Sequence, residues 1–152
     1  MLLTDLLSPA RVVVPLQGAS KDALLEELVA VLHRDGAVDD AAEVLRAVRA
    51  REAVMSTGIG SGVAIPHGKT NAAPELAMAA GVLARPVEYQ ALDDAPIRLV
   101  FMLVGPESAA GGHVKALSRI SRLVRRQDMR ERLAGCTSSE AFLQILAEGE
   151  AA

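Results

Sequence analysis

The sequence predicts an α/β fold, a single domain in which helices flank a mixed β-sheet on both faces. Apolar runs of strand length alternate along the chain with segments whose apolar residues recur at helical spacing, which is the pattern of a sheet covered by helices. The chain has 152 residues, of which 51% are hydrophobic, so it can bury a core of ordinary domain size. Because no repeat or linker interrupts the pattern, residues 1–152 are expected to form one domain.

The first third of the chain predicts one strand and two helices. Residues 11–16 (RVVVPL) have the composition of a strand, and the proline within them favours the edge of the sheet because it lacks an N–H group. Ser20 is a good N-cap for a helix that ends at Gly36. Two aspartates at 39–40 open a second helix, which continues to about Arg51.

The remaining elements follow the same alternation. Residues 76–83 (LAMAAGVL) predict a strand of small residues, and 97–104 (IRLVFMLV) predict a central strand covered on both faces, since they are almost continuously apolar. A loop is expected over 105–112, followed by a helix over 113–126 and a short helix over 128–133.

Two polar positions in this second half carry specific expectations. His113 lies in the first turn of its predicted helix, on the apolar side that faces the sheet, so it should either meet a buried partner or line a site. Thr137 or Ser138 caps the last helix, and Glu140 stands where a capping box with Thr137 requires it.

Charge and composition exclude several classes of function. Sixteen basic residues stand against nineteen acidic ones, so the net charge of −3 does not indicate nucleic-acid binding. The longest apolar run, residues 77–84, is far shorter than the ~20 residues that span a bilayer. The first residues include Asp5 and Pro9 and lack a basic start, unlike a signal peptide. The single cysteine, Cys136, fits a reducing compartment and an inert thiol. A cytoplasmic protein without membrane insertion is expected.

The stretch over residues 51–69, REAVMSTGIGSGVAIPHGK, holds the candidate chemistry. Its three glycines, at every second position from 58 to 62, leave backbone N–H groups open to a close ligand. Residues 63–65 predict a short buried strand that Pro66 ends, which places His67 at the strand terminus. At a pKa of about 6.5, a neutral imidazole is available there as a nucleophile that can hold a group covalently. Residue type alone leaves open whether His67 is such a nucleophile or an inert histidine.

Several other motifs are incomplete. The GKT at 68–70 is not a P-loop, because Val63 stands where the first glycine of that motif belongs. Val63 also occupies the third glycine position of a GxGxxG motif begun at residue 58. The three histidines at 33, 67 and 113 have no zinc-site spacing, and His33, in the last turn of its helix, is expected to be solvated or structural. No cofactor or metal is therefore expected.

The residues before and after His67 are specific to one family. STGIGSGVAIPHGKT, preceded by Arg51 and Glu52, resembles the active-site segment of IIA domains of the bacterial phosphoenolpyruvate-dependent sugar phosphotransferase system, in the fructose/mannitol branch that includes the nitrogen-regulatory IIA proteins. LTDLLSPARVVVPLQGASKDALLEELVAVL is similar to the first strand and helix of the family. APIRLVFMLVGPESAAGGHVKALSRISRLV is similar to its central strand and the helix with a second histidine. The resemblance thus covers nearly the whole chain and implies the same α/β fold.

The resemblance also implies a role for each site residue. His67 would be the phosphoryl-accepting nucleophile of a phosphotransferase component with a phosphohistidine intermediate. His113 would be the second histidine, which orients and neutralises the phosphate, and Arg51, sixteen positions before His67, would stabilise it. The phosphate donor would be the phosphohistidine of HPr, and the acceptor a IIB domain in sugar uptake.

A second role remains open from the sequence. In the nitrogen-regulatory members, phosphorylation controls binding to regulatory target proteins, and a chain without a fused IIB, IIC or HPr segment favours that role. The segment VFMLVGPE is equally similar to fructose-type uptake domains. An inactive relative is disfavoured because Arg51, His67 and His113 are all present. The small apolar residues around Ile59 and Val63 are expected either to dock HPr or to pack inside.

Overall fold

Six strands form one mixed sheet in the computed structural model, which describes all 152 residues. The strands are β1 Val12–Leu16, β2 Gly58–Gly60, β3 Val63–Ala64, β4 His67–Lys69, β5 Ala77–Val87 and β6 Ile97–Gly105. The helices are α1 Lys21–Arg34, α2 Ala41–Val54, α3 Ala110–Val124, α4 Gln127–Gly135 and α5 Ser139–Ala151. Short 3₁₀ turns occupy Leu3–Asp5, Pro9–Arg11 and Glu107–Ala109.

The strand order is β1-β5-β6-β3-β2, and β4 also pairs with β6. β6 is antiparallel to β5 and parallel to β3 and β4, so it is the centre of the sheet. All its residues except Arg98 are buried, which confirms the central strand predicted for this segment. β1 lies at the sheet edge, as the proline within it requires.

Helices cover both faces, which confirms the predicted α/β architecture. Successive residues of a strand point to opposite faces, and β6 divides its side chains accordingly. Val100 and Met102 pack with α1 and α2, whereas Phe101 and Leu103 pack with α3, α4 and α5. None of these helices is both long enough and apolar enough to pass through a membrane.

Helices α1, α2 and α5 each begin at a cap residue that the sequence predicted. Ser20 accepts a hydrogen bond from the backbone N–H of Ala23 at the start of α1, as predicted. Asp40 caps α2 in the same way. The capping box predicted for α5 is wrong, because Ser138 is the N-cap and Ala141 then stands in the third position. A glutamate one residue earlier cannot complete the motif.

Two element boundaries near the candidate site differ from the prediction. Only Val63–Ala64 form the strand β3, and His67 begins the separate strand β4 instead of ending the first one. α3 begins at Ala110, so the predicted loop ends early and His113 is the fourth residue of the helix. The glycines at 111–112 predict a loop by propensity, but packing of the element overrides this weak preference.

Candidate active site

The strand that carries His67 is held between β6 and α2. His67 pairs in register with Leu103, so the short strand β4 is fixed to the most buried strand of the sheet. The next residue, Gly68, lies so close to α2 that an added Cβ would be 3.1 Å from the backbone of Ala47 and of Val48. Since side chains alternate along a strand, His67 faces the opposite side, toward α3.

The structure brings His67 and His113 together. Their ring centroids are 5.5 Å apart and the ring planes meet at 62°. His67 is half-buried and so remains accessible to a visiting molecule, whereas His113 is only 2% exposed. β4 and α3, which are more than forty residues apart in the chain, thus place two imidazoles side by side.

Hydrogen bonding determines the tautomer of His67. Its Nδ1 lies 2.8 Å from the backbone carbonyl oxygen of Ile65. A carbonyl oxygen can only accept, so in the neutral ring Nδ1 carries the proton and donates it. The lone pair is therefore on Nε2, which is free to act as a base or a nucleophile.

His113 has no such partner. Both of its ring nitrogens are buried, and neither makes a hydrogen bond. A buried polar group without a partner is unfavourable by about 1–3 kcal/mol and is uncommon in folded proteins. The orphaned nitrogens lie beside His67, where a group bound to that ring could satisfy them.

Burial keeps both imidazoles uncharged. Desolvation lowers the pKa of His67, and the positive charges of Arg51 and Lys69 lower it further, whereas the hydrogen bond that Nδ1 donates to the Ile65 carbonyl and the charge of Glu52 raise it. Desolvation lowers the pKa of His113 to about 4, with smaller contributions from His67 and Lys69. At neutral pH the site therefore contains two neutral imidazole rings close to the positive charges of Arg51 and Lys69.

Two cations border the histidines. Arg51, near the end of α2, is half-buried, and its Nη1 donates a hydrogen bond to the backbone oxygen of Met55 at 2.8 Å. Lys69 is exposed and its charge acts on both histidines. Lys69 was not predicted as a site residue, although its position two residues after His67 in a strand places both side chains on one face.

A buried carboxylate next to Arg51 was also missed. Glu52 accepts hydrogen bonds from the backbone N–H and the hydroxyl of Thr57, from the hydroxyl of Tyr89 and from the Lys21 ammonium. Burial raises the pKa of Glu52, but these hydrogen bonds outweigh it and the net pKa is lowered. No pattern in the sequence distinguishes this glutamate from the exposed ones, because its partners come from three other segments.

The remaining candidates have ordinary surroundings. His33 is exposed in the last turn of α1. Cys136 is half-buried, and burial raises the pKa of its thiol, which fits the expected inert cysteine. Of the two apolar residues proposed for docking or packing, Val63 is fully buried and Ile59 is 41% exposed. No cluster of three or more His, Cys, Asp or Glu side chains could hold a metal ion.

The fold and the site define a class: an α/β domain that presents an oriented, neutral histidine beside a second, buried one. A family described as "Phosphoenolpyruvate-dependent sugar phosphotransferase system, EIIA 2" matches residues 5–149, and the chain belongs to this family. The resemblance seen in the sequence is thereby confirmed.

Relatives of both kinds named in the sequence analysis are similar to the chain. It is 37% identical over 150 residues to a nitrogen regulatory protein of Bradyrhizobium diazoefficiens, covering 97% of this chain and 95% of that protein. It is 36% identical over 146 residues to the fructose-specific EIIABC component of the phosphotransferase system of Bacillus subtilis, covering 96% of this chain and 23% of that longer protein.

Solved structures share the fold. The nitrogen regulatory protein IIA-Ntr of Neisseria meningitidis superimposes with a TM-score of 0.87 at 34% identity, covering 93% of this chain and 97% of that one. A complex of enzyme IIA mannitol with phosphorylated enzyme IIB mannitol from Escherichia coli matches with a TM-score of 0.79 at 21% identity, over 93% of this chain and 97% of that one.

Proposed function

We propose that this protein is a phosphoryl carrier that accepts phosphate on Nε2 of His67 from phospho-HPr and passes it to a IIB domain. One observation carries the proposal: Nδ1 of His67 donates to the Ile65 carbonyl, which leaves the Nε2 lone pair free, beside the unpartnered ring of His113. Membership of the phosphotransferase family supplies the donor and acceptor chemistry. A cytoplasmic location belongs to the same proposal.

The transfer needs little from the protein beyond positioning and charge. The Nε2 lone pair of His67 attacks phosphorus, and a new N–P bond forms as the N–P bond of the donor phosphohistidine breaks. The donor imidazole leaves with the electron pair of the broken bond. The proton on Nδ1 of His67 stays in place, where the Ile65 carbonyl stabilises the positive charge that the ring acquires. Transfer to the next acceptor reverses these roles.

The groups around His67 suit the transferred phosphoryl. Arg51 and Lys69 provide positive charge close to the ring, as their effect on the pKa of His67 indicates. His113 supplies a buried imidazole whose nitrogens have no partner in the protein itself. A phosphate oxygen could accept a hydrogen bond from it, which would remove the penalty of the orphaned group.

Phosphate incorporation tests the proposal directly. On incubation with phosphoenolpyruvate, enzyme I and HPr, the protein should acquire one acid-labile phosphate per chain. His67→Ala should acquire none, whereas His33→Ala, which removes an exposed histidine of α1, should match the wild type. His113→Ala should accept phosphate about ten- to a hundredfold more slowly. Label that persists in His67→Ala would reject the assignment.

A regulatory role is the second candidate for the same chemistry. The nitrogen regulatory relative matches this chain over 95% of its own length, and the Neisseria IIA-Ntr structure matches over 97% of its length. In this alternative the phosphorylation state of His67 controls binding to a regulatory target. Transfer of phosphate from the labelled protein to a purified IIB domain would support uptake. A protein partner whose binding is at least tenfold different between wild type and His67→Ala under phosphorylating conditions would support regulation.

A further inference from the structure

A buried hydrogen-bonded cluster joins three parts of the chain beside the site. Glu52, in the last turn of α2, is only 8% exposed. Its Oε2 accepts from the Thr57 backbone N–H at 2.8 Å and from Lys21 Nζ at 3.1 Å, and its Oε1 accepts from the Tyr89 hydroxyl at 2.9 Å. The Thr57 hydroxyl donates to the same Oε1. Lys21 also lies over the Tyr89 ring, 4.5 Å from its centroid.

From this cluster, successive backbone contacts lead to His67. The Thr57 carbonyl accepts a hydrogen bond from the Ile65 N–H at 2.9 Å. The Ile65 carbonyl in turn accepts from Nδ1 of His67 at 2.8 Å. Thr57 is therefore one of the contacts that hold Ile65, whose carbonyl orients the imidazole. Thr57 lies three residues after the end of α2, in a segment without regular structure, where its N–H and hydroxyl bond to Glu52 and its hydroxyl also lies 3.2 Å from the Tyr89 hydroxyl.

We propose, on the premise that His67 is the phosphoryl acceptor, that Glu52 is a positioning residue that holds the Nδ1–H tautomer and orientation of His67 through Thr57 and Ile65. It does not touch the imidazole. Its action has two parts, which can be separated: hydrogen bonding to Thr57 fixes the geometry, and its negative charge acts on His67 through space.

The titratable groups around His67 determine in which direction the loss of the Glu52 charge shifts the pKa of His67. Arg51 and Glu52 approach from α2, Lys69 from β4 and His113 from α3. Arg51 and Lys69 lower the pKa of His67, while Glu52 raises it. Removal of the Glu52 charge should therefore lower the pKa of His67 further, a change that loss of packing alone would not predict.

Two variants separate the parts. Glu52→Gln keeps the shape but replaces one acceptor oxygen with an NH₂ donor and removes the negative charge that strengthens the bonds from Thr57 and Lys21, so it should loosen Thr57 and lower the pKa of His67. We expect phosphate acceptance from phospho-HPr to be about tenfold slower, with a smaller fraction of Nδ1–H tautomer in ¹⁵N NMR spectra of the ring. Thr57→Val removes the hydroxyl, with its bonds to Glu52 and to the Tyr89 hydroxyl, and keeps the bond from the backbone N–H to the carboxylate. It should slow acceptance about two- to fivefold and leave the pKa of His67 unchanged, because the carboxylate remains.

Glu27→Gln is a matched control. Glu27 also accepts hydrogen bonds from loop backbone N–H groups, those of Gln17 and Gly18, but these bonds do not involve Glu52, Thr57, Ile65 or His67. This variant should match the wild type in rate, tautomer and pKa.

The outcomes separate this inference from the proposed function. A folded Glu52→Gln whose tautomer, pKa and rate equal those of the wild type would overturn the positioning role. If Glu52→Gln fails to fold, Thr57→Val decides, and a wild-type tautomer and rate in that variant would overturn it equally. Wild-type protein that accepts no phosphate on His67 would instead reject the proposed function, while the tautomer measurement on unphosphorylated protein still tests the positioning.

Discussion

Single side chains at the site keep the reactive imidazole neutral without sealing it from solvent. His67 is half-buried, so desolvation lowers its pKa, and the adjacent cations act in the same direction. A cation that favours a phosphate oxygen therefore also favours the unprotonated, nucleophilic ring. In the proposed function, the one charge on Arg51 and the one on Lys69 would each serve both requirements.

Replacement of Arg51 tests this coupling. In Arg51→Ala, the pKa of His67 should rise, because one of the charges that lower it is gone, but it should stay below about 6.5, since burial is the larger cause. Phosphate acceptance should fall at every pH, as stabilisation of the phosphoryl group is lost as well. An NMR titration of the His67 ring measures the first effect. An unchanged or lower pKa in the variant would contradict the placement of Arg51.

Replacement of His113 by leucine should have opposite effects on stability and on phosphate acceptance. His113→Leu replaces two orphaned nitrogens with apolar atoms, so it should raise the free energy of unfolding at neutral pH by about 1–3 kcal/mol. The same variant should accept phosphate poorly. Chemical denaturation and phosphate labelling of one preparation check both effects. A destabilised variant that transfers phosphate normally would contradict the account of His113.

The burial of His113 also predicts the direction in which the stability of the protein changes with pH. Its pKa is about 4 in the folded protein and about 6.5 when unfolded, so the unfolded state binds the extra proton as the pH falls. Stability should fall between pH 6.5 and 4, by on the order of 3 kcal/mol from this residue. The difference between wild type and His113→Leu, measured by denaturation across that range, isolates this contribution. A difference that does not grow as the pH falls would contradict it.

Among the elements, β4, which carries His67, packs directly on α2, which carries Arg51. Gly68 permits it, because any Cβ at that position would press on the α2 backbone. Gly68→Ala should lower the free energy of unfolding by about 1–3 kcal/mol and slow phosphate acceptance, since α2 must shift. Gly111, in α3, has open space around it, so Gly111→Ala should raise stability by up to about 1 kcal/mol. If the two substitutions changed stability, measured by denaturation, and phosphate acceptance, measured by labelling, to the same extent, the role given to the contact between β4 and α2 would be contradicted.

The elements also show how far the sequence could predict this fold. Long apolar runs such as the one that forms β6 and the capped helices α1 and α2 were predicted because pattern and local chemistry agree. The three-residue strands β2 and β4 were not, since strands that short have no periodicity of their own and form by pairing with neighbours. His67 and His113 were candidates from their positions in the pattern, whereas their roles, and the choice of Arg51, came from the family resemblance. The burial of Glu52 depends on Thr57, Tyr89 and Lys21, which only the folded chain brings together.

Across the whole molecule, one buried carboxylate joins the two ends of the chain. Glu150, near the end of α5, accepts hydrogen bonds from the backbone N–H groups of Leu3 at 2.7 Å and Thr4 at 3.1 Å, and its side chain is 4% exposed. These bonds hold the first 3₁₀ turn against the face of the sheet covered by α3, α4 and α5. His67 and His113 border the same face at α3, but neither shares a hydrogen bond with this turn.

Glu150→Ala should lower the free energy of unfolding by about 1–3 kcal/mol, because two N–H groups lose their acceptor. Phosphate acceptance at His67 should stay within about twofold of the wild type, since no contact of the site is removed. Glu148→Ala, which removes an exposed partner of Arg132, should change neither property appreciably. Denaturant melts and labelling rates measure both. If Glu150→Ala were as stable as Glu148→Ala, the role given to the hydrogen bonds between Glu150 and the first 3₁₀ turn would be contradicted.

The position of the phosphate on the ring tests the central claim most directly. The protein should be phosphorylated with phosphoenolpyruvate, enzyme I and HPr, and its imidazoles examined by ³¹P and ¹⁵N NMR spectroscopy. Because Nδ1 of His67 donates its hydrogen bond to the Ile65 carbonyl, we expect a single phosphate bonded to Nε2 of that residue. A phosphate bonded to Nδ1 of His67, or to any other residue, would contradict the account.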